Sequence, residues 1–189
     1  MQRYSFATII TVNDGLPIAT HLPFIVKEVN GEIVLTSHFA KANPQASGSI
    51  HNKVLVIFTE PHAYISPKHY EKEASVPTWN YIAVHACGNC FLIDSEENKA
   101  ALLKEMIQYY EADYQKQWDS QSDTFKRNMM NGIVAFKIVV DALQGKKKLS
   151  QNKTVKERTS IISELKNAQT SNEKDLAAYM ESSNSDKLQ

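Results

Sequence analysis

Two turn signals constrain this chain more than any other feature. Asn13-Asp14-Gly15 and Asn30-Gly31, with a later Asn43-Pro44, punctuate short runs of β-branched and aromatic residues: Phe6–Val12, Leu22–Val29, Gly31–His38 and Lys53–Glu60. Asn, Asp and Gly tolerate the positive φ that tight turns need, so the runs are expected to pair as antiparallel hairpins. Tyr81–Ile93 and Gly132–Leu143 have the same strand composition. Between them the period changes to that of a helix at about 95–115, capped by Asp94 or Ser95, with Leu102, Leu103, Met106, Ile107 and Tyr110 on its apolar face. From about Val155 to about Met180 the chain again reads as helix, with Ile161, Ile162, Leu165, Leu176 and Met180 apolar, and the end Glu181–Gln189 is expected to fray. Six or so closely spaced strands with one helix between the late ones predict a mainly β fold with helices, an α+β antiparallel barrel rather than a doubly wound sheet. The expected division is a barrel domain over 1–150 and a C-terminal helical extension over 151–189 packed on it.

Charge narrows the range of partners. Twenty-one basic residues balance 21 acidic ones over 189 residues, so no global field draws the chain to nucleic acid or anionic lipid, and any such partner must meet a local patch. The one basic run is Gly145-Lys146-Lys147-Lys148, with Lys153 and Lys156 nearby, which reads either as a solvated loop or as a DNA-facing stripe; no helix-turn-helix pattern accompanies it. Cys87 and Cys90 are the only cysteines. On a regular strand they face opposite ways, which precludes a disulfide or a shared metal, so they read as free thiols. With no leader pattern at the N-terminus and no apolar run near the ~20 residues of a membrane span, a soluble protein of the reducing cytoplasm is expected. Neither G-x-G-x-x-G nor a Walker motif occurs, so a phosphorylated ligand would have to be held by side chains.

Three polar clusters are candidates for that work. Thr36-Ser37-His38 ends a strand and is followed by Lys41, Asn43 and Pro44, which suits either a phosphate or a polar turn that satisfies its own backbone. Glu60–Tyr70 and Val76–Tyr81 are the others. Trp79 and Tyr81 fit a planar ligand or the plug of a barrel, and aromatic residues more often pack in a core or interface. His21, His38, His51, His62, His69 and His85 are donors or ligands by residue type alone.

The segments "ATHLPF", "LTSHFAKANPQ", "VLVIFTEPHAYISP", "VPTWNYIAVHACG", "GIVAFKI" and "KLSQNK" resemble, in order and spacing, the PaiB-like family of FMN-binding negative transcriptional regulators. The likeness runs from about Phe6 to the C-terminal helix. It implies an FMN-binding split barrel related to pyridoxamine-phosphate-oxidase-like proteins, in which two subunits pair and FMN lies in the cleft between them. By that likeness Thr20, His21, Thr36, Ser37 and Lys41 are directed at the FMN phosphate and ribityl chain, and Asn43 steadies the turn or reaches the ligand. Trp79, Asn80 and Tyr81 fall near the isoalloxazine ring or across the dimer, and Gln151, after Lys146–Lys148, belongs to a loop closing from the partner subunit. The family is expected to carry a "P-x-x-F"-like segment and a helix before the first strand, whereas this sequence starts at "MQRYSFATIIT". The resemblance implies an FMN-binding regulator with a DNA or regulator partner. A flavin-dependent oxidoreductase or flavin reductase is the alternative, a flavin-storage module is a third, and haem binding or degradation through His62 and His69 is a minor one.

Overall fold

The computed structural model describes residues 1–47 and 53–185; His51 and the last four residues of the sequence lie outside that range. The strands are β1 (Phe6–Asn13), β2 (Leu16–Pro23), β3 (Ile25–Val29), β4 (Glu32–Ala40), β5 (Lys53–Ile65), β6 (Thr78–Ile93) and β7 (Ile133–Lys148). The helices are α1 (Glu96–Tyr110), α2 (Tyr114–Ser120), α3 (Asp123–Asn131), α4 (Val155–Lys166) and α5 (Ser171–Ser185). The chain forms two compact units. The first comprises 1–58 and 85–144, the second 59–84 and 145–189, so β5, β6 and β7 each supply one end to each unit. Residues 59–84 fall with the C-terminal helices, where the sequence reading groups them with the barrel.

In the first unit the strands form a seven-stranded antiparallel sheet in the order β2-β1-β5-β6-β7-β4-β3. The turn chemistry accounts for both hairpins: Asp14, Gly15, Asn30 and Gly31 all adopt positive φ, and β1–β2 and β3–β4 pair antiparallel across them. Ile9, Phe24, Leu35, Phe39, Val56, Phe136 and Ile138 are sealed inside. Phe24 meets Phe58 and Phe136 edge-on at 5.9 and 6.2 Å, and Phe39 stacks on Phe136 at 4.9 Å, the offset geometries that aromatic quadrupoles favour. Ser95 caps α1 by accepting from the Asn98 N–H, and Leu102 and Met106 pack on Ile25 and Ala135. α2 and α3 follow where the sequence pattern indicates no helix. Both are short, and neither contains a buried residue.

The second unit buries Ala63, Ile65, Leu149, Ile161, Ile162, Leu165, Leu176, Ala177 and Met180. Its helical part is two helices rather than one, with a break at 167–170. Thr154 and Glu157 cap α4 reciprocally, each side chain bonding the other's backbone N–H. Cys87 and Cys90 are free thiols; Cys90 is buried and its pKa is pushed up to about 12 by that burial.

Gly88 marks a close approach of β6 to β7. A Cβ there would lie 2.3 Å from the Val139 carbonyl oxygen and 2.8 Å from Ile138 Cγ2. Gly88→Ala should therefore destabilise the fold by about 1–3 kcal/mol, the usual range for overpacking, because the obstacle is backbone. Chemical denaturation measures it, and an unchanged midpoint would contradict the close approach.

Candidate functional site

Alternation along β4 sorts the donors of Thr36–Lys41 into two sets. Leu35, Ser37 and Phe39 point into the core, while Thr36 and His38 stand on the opposite face. Ser37 is sealed, and its hydroxyl donates to the Pro23 carbonyl at 2.7 Å. Thr20 and Asn43 are likewise engaged internally. The Thr20 hydroxyl donates to Gln45 Oε1 and accepts from Asn43 Nδ2 at 3.0 Å. Asn43 Oδ1 accepts the Gln45 N–H at 2.8 Å, and Gln45 Nε2 donates to Thr11 Oγ1 and the Ile18 carbonyl at 2.9 and 3.0 Å. Gln45, sealed at the start of the 3-10 turn Pro44–Ser47, is the hub, and the sequence reading did not single it out. The same donors that suit a phosphate thus form a strut. Gln45→Ala should cost about 1–3 kcal/mol in thermal or urea unfolding by leaving buried polar groups short of partners; a loss below about 0.5 kcal/mol would contradict the strut.

The other set, Thr36 and His38, is half-buried and lines two cavities. Thr36 stands opposite Lys137 of β7 and lines a cavity of about 420 Å³ with Asp94, Ser95, Asn98 and Glu105. Its hydroxyl oxygen is sealed and has no hydrogen-bond partner among the described residues, so turning it toward a ligand would break no bond. Glu105 is neutralised by Lys27 at 2.7 Å. Lys41 and Lys137 are exposed cations, and His21 is exposed on β2 with its ring stacked on Phe6 at 6.1 Å. Around this cavity the hydroxyls of Thr36 and Ser95, the Asn98 amide and the Asp94 carboxylate suit the hydroxyls of a ribityl chain, and Lys137 suits its phosphate, so the residues present fit that part of FMN. Lys137 was missed because only the β4–β7 register places it beside Thr36.

The second unit holds the remaining candidates. Asn80 is sealed; it donates to Ser150 Oγ at 3.0 Å and accepts from it at 3.1 Å, fastening a loop in which Ser150 has φ +55°. Gln151 closes its own turn, accepting the Leu149 N–H and donating to the Lys147 carbonyl. Tyr81 is half-buried, while Trp79 is 53% exposed with the rings of His62 and Tyr64 each at 6.0 Å. Lys153 sits over the Tyr70 ring at 3.6 Å, Lys156 pairs with Glu71 at 3.0 Å and Lys148 donates to Thr78 Oγ1, so three of the patch lysines have local partners. His69 lies between Ser160 Oγ, 2.8 Å from Nδ1, and Glu164 Oε2, 3.3 Å from Nε2. Lys68 donates to that same carboxylate at 2.6 Å and holds it below the usual carboxylate range. This order of groups suggests a nucleophile, yet Ser160 is in mid-helix, where backbone N–H groups are spent on the preceding turn and offer no oxyanion site. The chain of bonds ties the 3-10 turn Pro67–His69 to α4.

Fold and cavity together define an α+β split barrel of the flavin-binding kind. The fold resembles the flavocytochrome Anf3 from Azotobacter vinelandii, with TM-score 0.59 and 14% identity over 76% of this chain and 61% of that one. It also resembles the FAD and heme binding protein from Mycobacterium smegmatis, with TM-score 0.59 and 16% identity over 84% and 73%. At such identities the likeness concerns the fold alone. Residues 1–142 match the family described as "Putative FMN-binding domain". Over 184 residues, 96% of this chain and 88% of the relative, it is 40% identical to the protease synthase and sporulation protein PAI 2 of Bacillus subtilis (strain 168). The chain belongs to this PaiB-type FMN-binding family, and its cofactor is FMN.

Proposed function

We propose that the protein is a cytoplasmic homodimer that binds FMN between its subunits and acts as a negative transcriptional regulator through DNA or a partner regulator. The observation that carries this reading is the identity with PAI 2 across nearly the whole of both chains. The exposed rings of Trp79, Tyr64 and His62 support it as a surface for a flavin ring or a second subunit, since aromatic clusters left in water are costly unless covered. Two free thiols suit a reducing compartment, and no helix among the described residues is long and apolar enough to cross a membrane.

When bound, FMN supplies reversible electron transfer at its ring. The chain's own part is to hold it. Lys137 neutralises the phosphate and Thr36, opposite it, turns its unbonded hydroxyl to the ribityl chain, while Lys41, beside Gly132 at the strand exit, and His21 are further donors that the family likeness directs at the ligand. In the second unit Trp79, with Tyr64 and His62, presents an exposed aromatic face of its own to a planar group or a second subunit. Thr20, Ser37, Asn43, Asn80 and Gln151 act one step back by fixing the backbone that carries these groups.

Purified protein mixed with FMN and freed of excess should keep the absorbance of oxidised flavin, and light scattering should give a dimer. Lys41→Ala and Lys137→Ala should each weaken FMN by about 1.5 kcal/mol, roughly tenfold, the low end for a charge-assisted contact because both ammonium groups are exposed. Unchanged affinity in both variants would remove the strand exit from the site. A salt-sensitive shift of promoter DNA supports regulation. Steady oxidation of reduced nicotinamide with FMN present, and no DNA shift, would favour a reductase instead.

A further inference from the structure

His38 lines a second cavity of about 410 Å³, between β4 and the helices of the first unit, that the flavin assignment leaves unused. Its walls are largely apolar and aromatic, with Met106, Ile107, Tyr110, Trp118 and Met129 among them. The Tyr110 hydroxyl is committed elsewhere, to Ser5 Oγ at 2.8 Å and the Phe24 carbonyl at 3.3 Å, so this residue offers the cavity its ring. The imidazole is the polar handle, and its two nitrogens differ. Nδ1 is sealed with no hydrogen-bond partner among the described residues, whereas Nε2 is not sealed. A buried N–H without an acceptor is the costlier orphan, so Nδ1 carries the lone pair and the hydrogen sits on Nε2. Burial also lowers the pKa of the ring, because the charged form is deprived of solvent. A neutral ring with one N–H to give, among aromatic and thioether walls, describes what would fill the space.

We propose that the His38 cavity binds a small, uncharged, planar aromatic molecule bearing a hydrogen-bond acceptor, a ring nitrogen or a carbonyl, which takes the Nε2–H of His38 while its ring packs against Trp118, Tyr110 and the Met106 and Met129 sulfurs. Sulfur–aromatic and ring–ring contacts favour such a guest over an aliphatic one. A charged guest is disfavoured, because nothing among the described lining residues is a cation and Glu111 is the carboxylate among them. The site does not depend on the flavin reading.

Quinoline and naphthalene test it, having nearly the same shape and differing by one acceptor nitrogen. Each is titrated into the full-length protein without flavin, followed by calorimetry and by the Trp118 indole resonance. Saturable one-to-one binding of quinoline is expected. His38→Phe, which keeps a ring but removes the donor, should weaken quinoline about fivefold, within the usual range for one neutral hydrogen bond, and leave naphthalene unchanged. Met129→Trp is at a residue 45% exposed, so folding should survive, and the added bulk should abolish both. Thermal melts check that each variant folds. No binding of quinoline, an equal response of both probes to His38→Phe, or full displacement of quinoline by FMN at flavin-saturating concentration would each overturn the proposal as a separate site.

Discussion

The ladder between β4 and β7, with Thr36 opposite Lys137, Ser37 opposite Phe136 and His38 opposite Ala135, decides the side of the sheet on which each candidate ligand residue stands. Side chains alternate with a period of two, so a slip of one residue would carry Thr36 and His38 into the phenylalanine core and bring Ser37 and Phe39 out. That core prevents the slip. Phe39 stacked on Phe136 and Phe24 set edge-on to it fill space that no polar residue could replace without an unpaired group. The position of the ligand-facing donors is thus a by-product of aromatic packing on the other face.

The same division explains how one short segment serves two purposes. Ser37, Asn43 and Gln45 with Thr20 fasten the exit of β4 to β2 and to the turn after it. Thr36 and, across the ladder, Lys137 line the cavity on the other face, and Lys41 is exposed at the strand exit. Rigid struts beneath and uncommitted donors above are what a site needs if the ligand is not to bear the ordering cost itself. In the second unit Asn80 and Gln151 have the same supporting character, Asn80 fastening the Ser150 loop and Gln151 closing its own turn.

Features carried by local chemistry were legible in the sequence. Asp14-Gly15 and Asn30-Gly31 marked the hairpins, Asp94 or Ser95 the start of α1, and Ile161, Ile162, Leu165, Leu176 and Met180 the apolar side of α4 and α5, while the buried Glu157, Arg158 and Ala177 were not marked. Features that arise from pairing at a distance were not. Lys137 looks like an interruption in an apolar strand until the register sets it beside Thr36. Gln45 looks like one more polar turn residue, yet four hydrogen bonds converge on it. Polar residue types do not distinguish a donor left open from one bonded inside the fold, and Thr20, Ser37 and Asn80 are bonded inside it. α2 and α3 were missed for a different reason: they are short, and their few apolar side chains, such as Trp118, Phe125 and Met129, are not fully buried and did not mark a core face.

The central claim is that side chains on this strand exit, and not a glycine-rich loop, grip the phosphate of FMN. The most direct measurement compares the dissociation constants of FMN and riboflavin, which differ only in that phosphate, at low and at raised salt. The account predicts FMN to bind at least about tenfold more tightly, with the gap narrowing as salt screens the lysines. Equal affinities at both salt concentrations would contradict it.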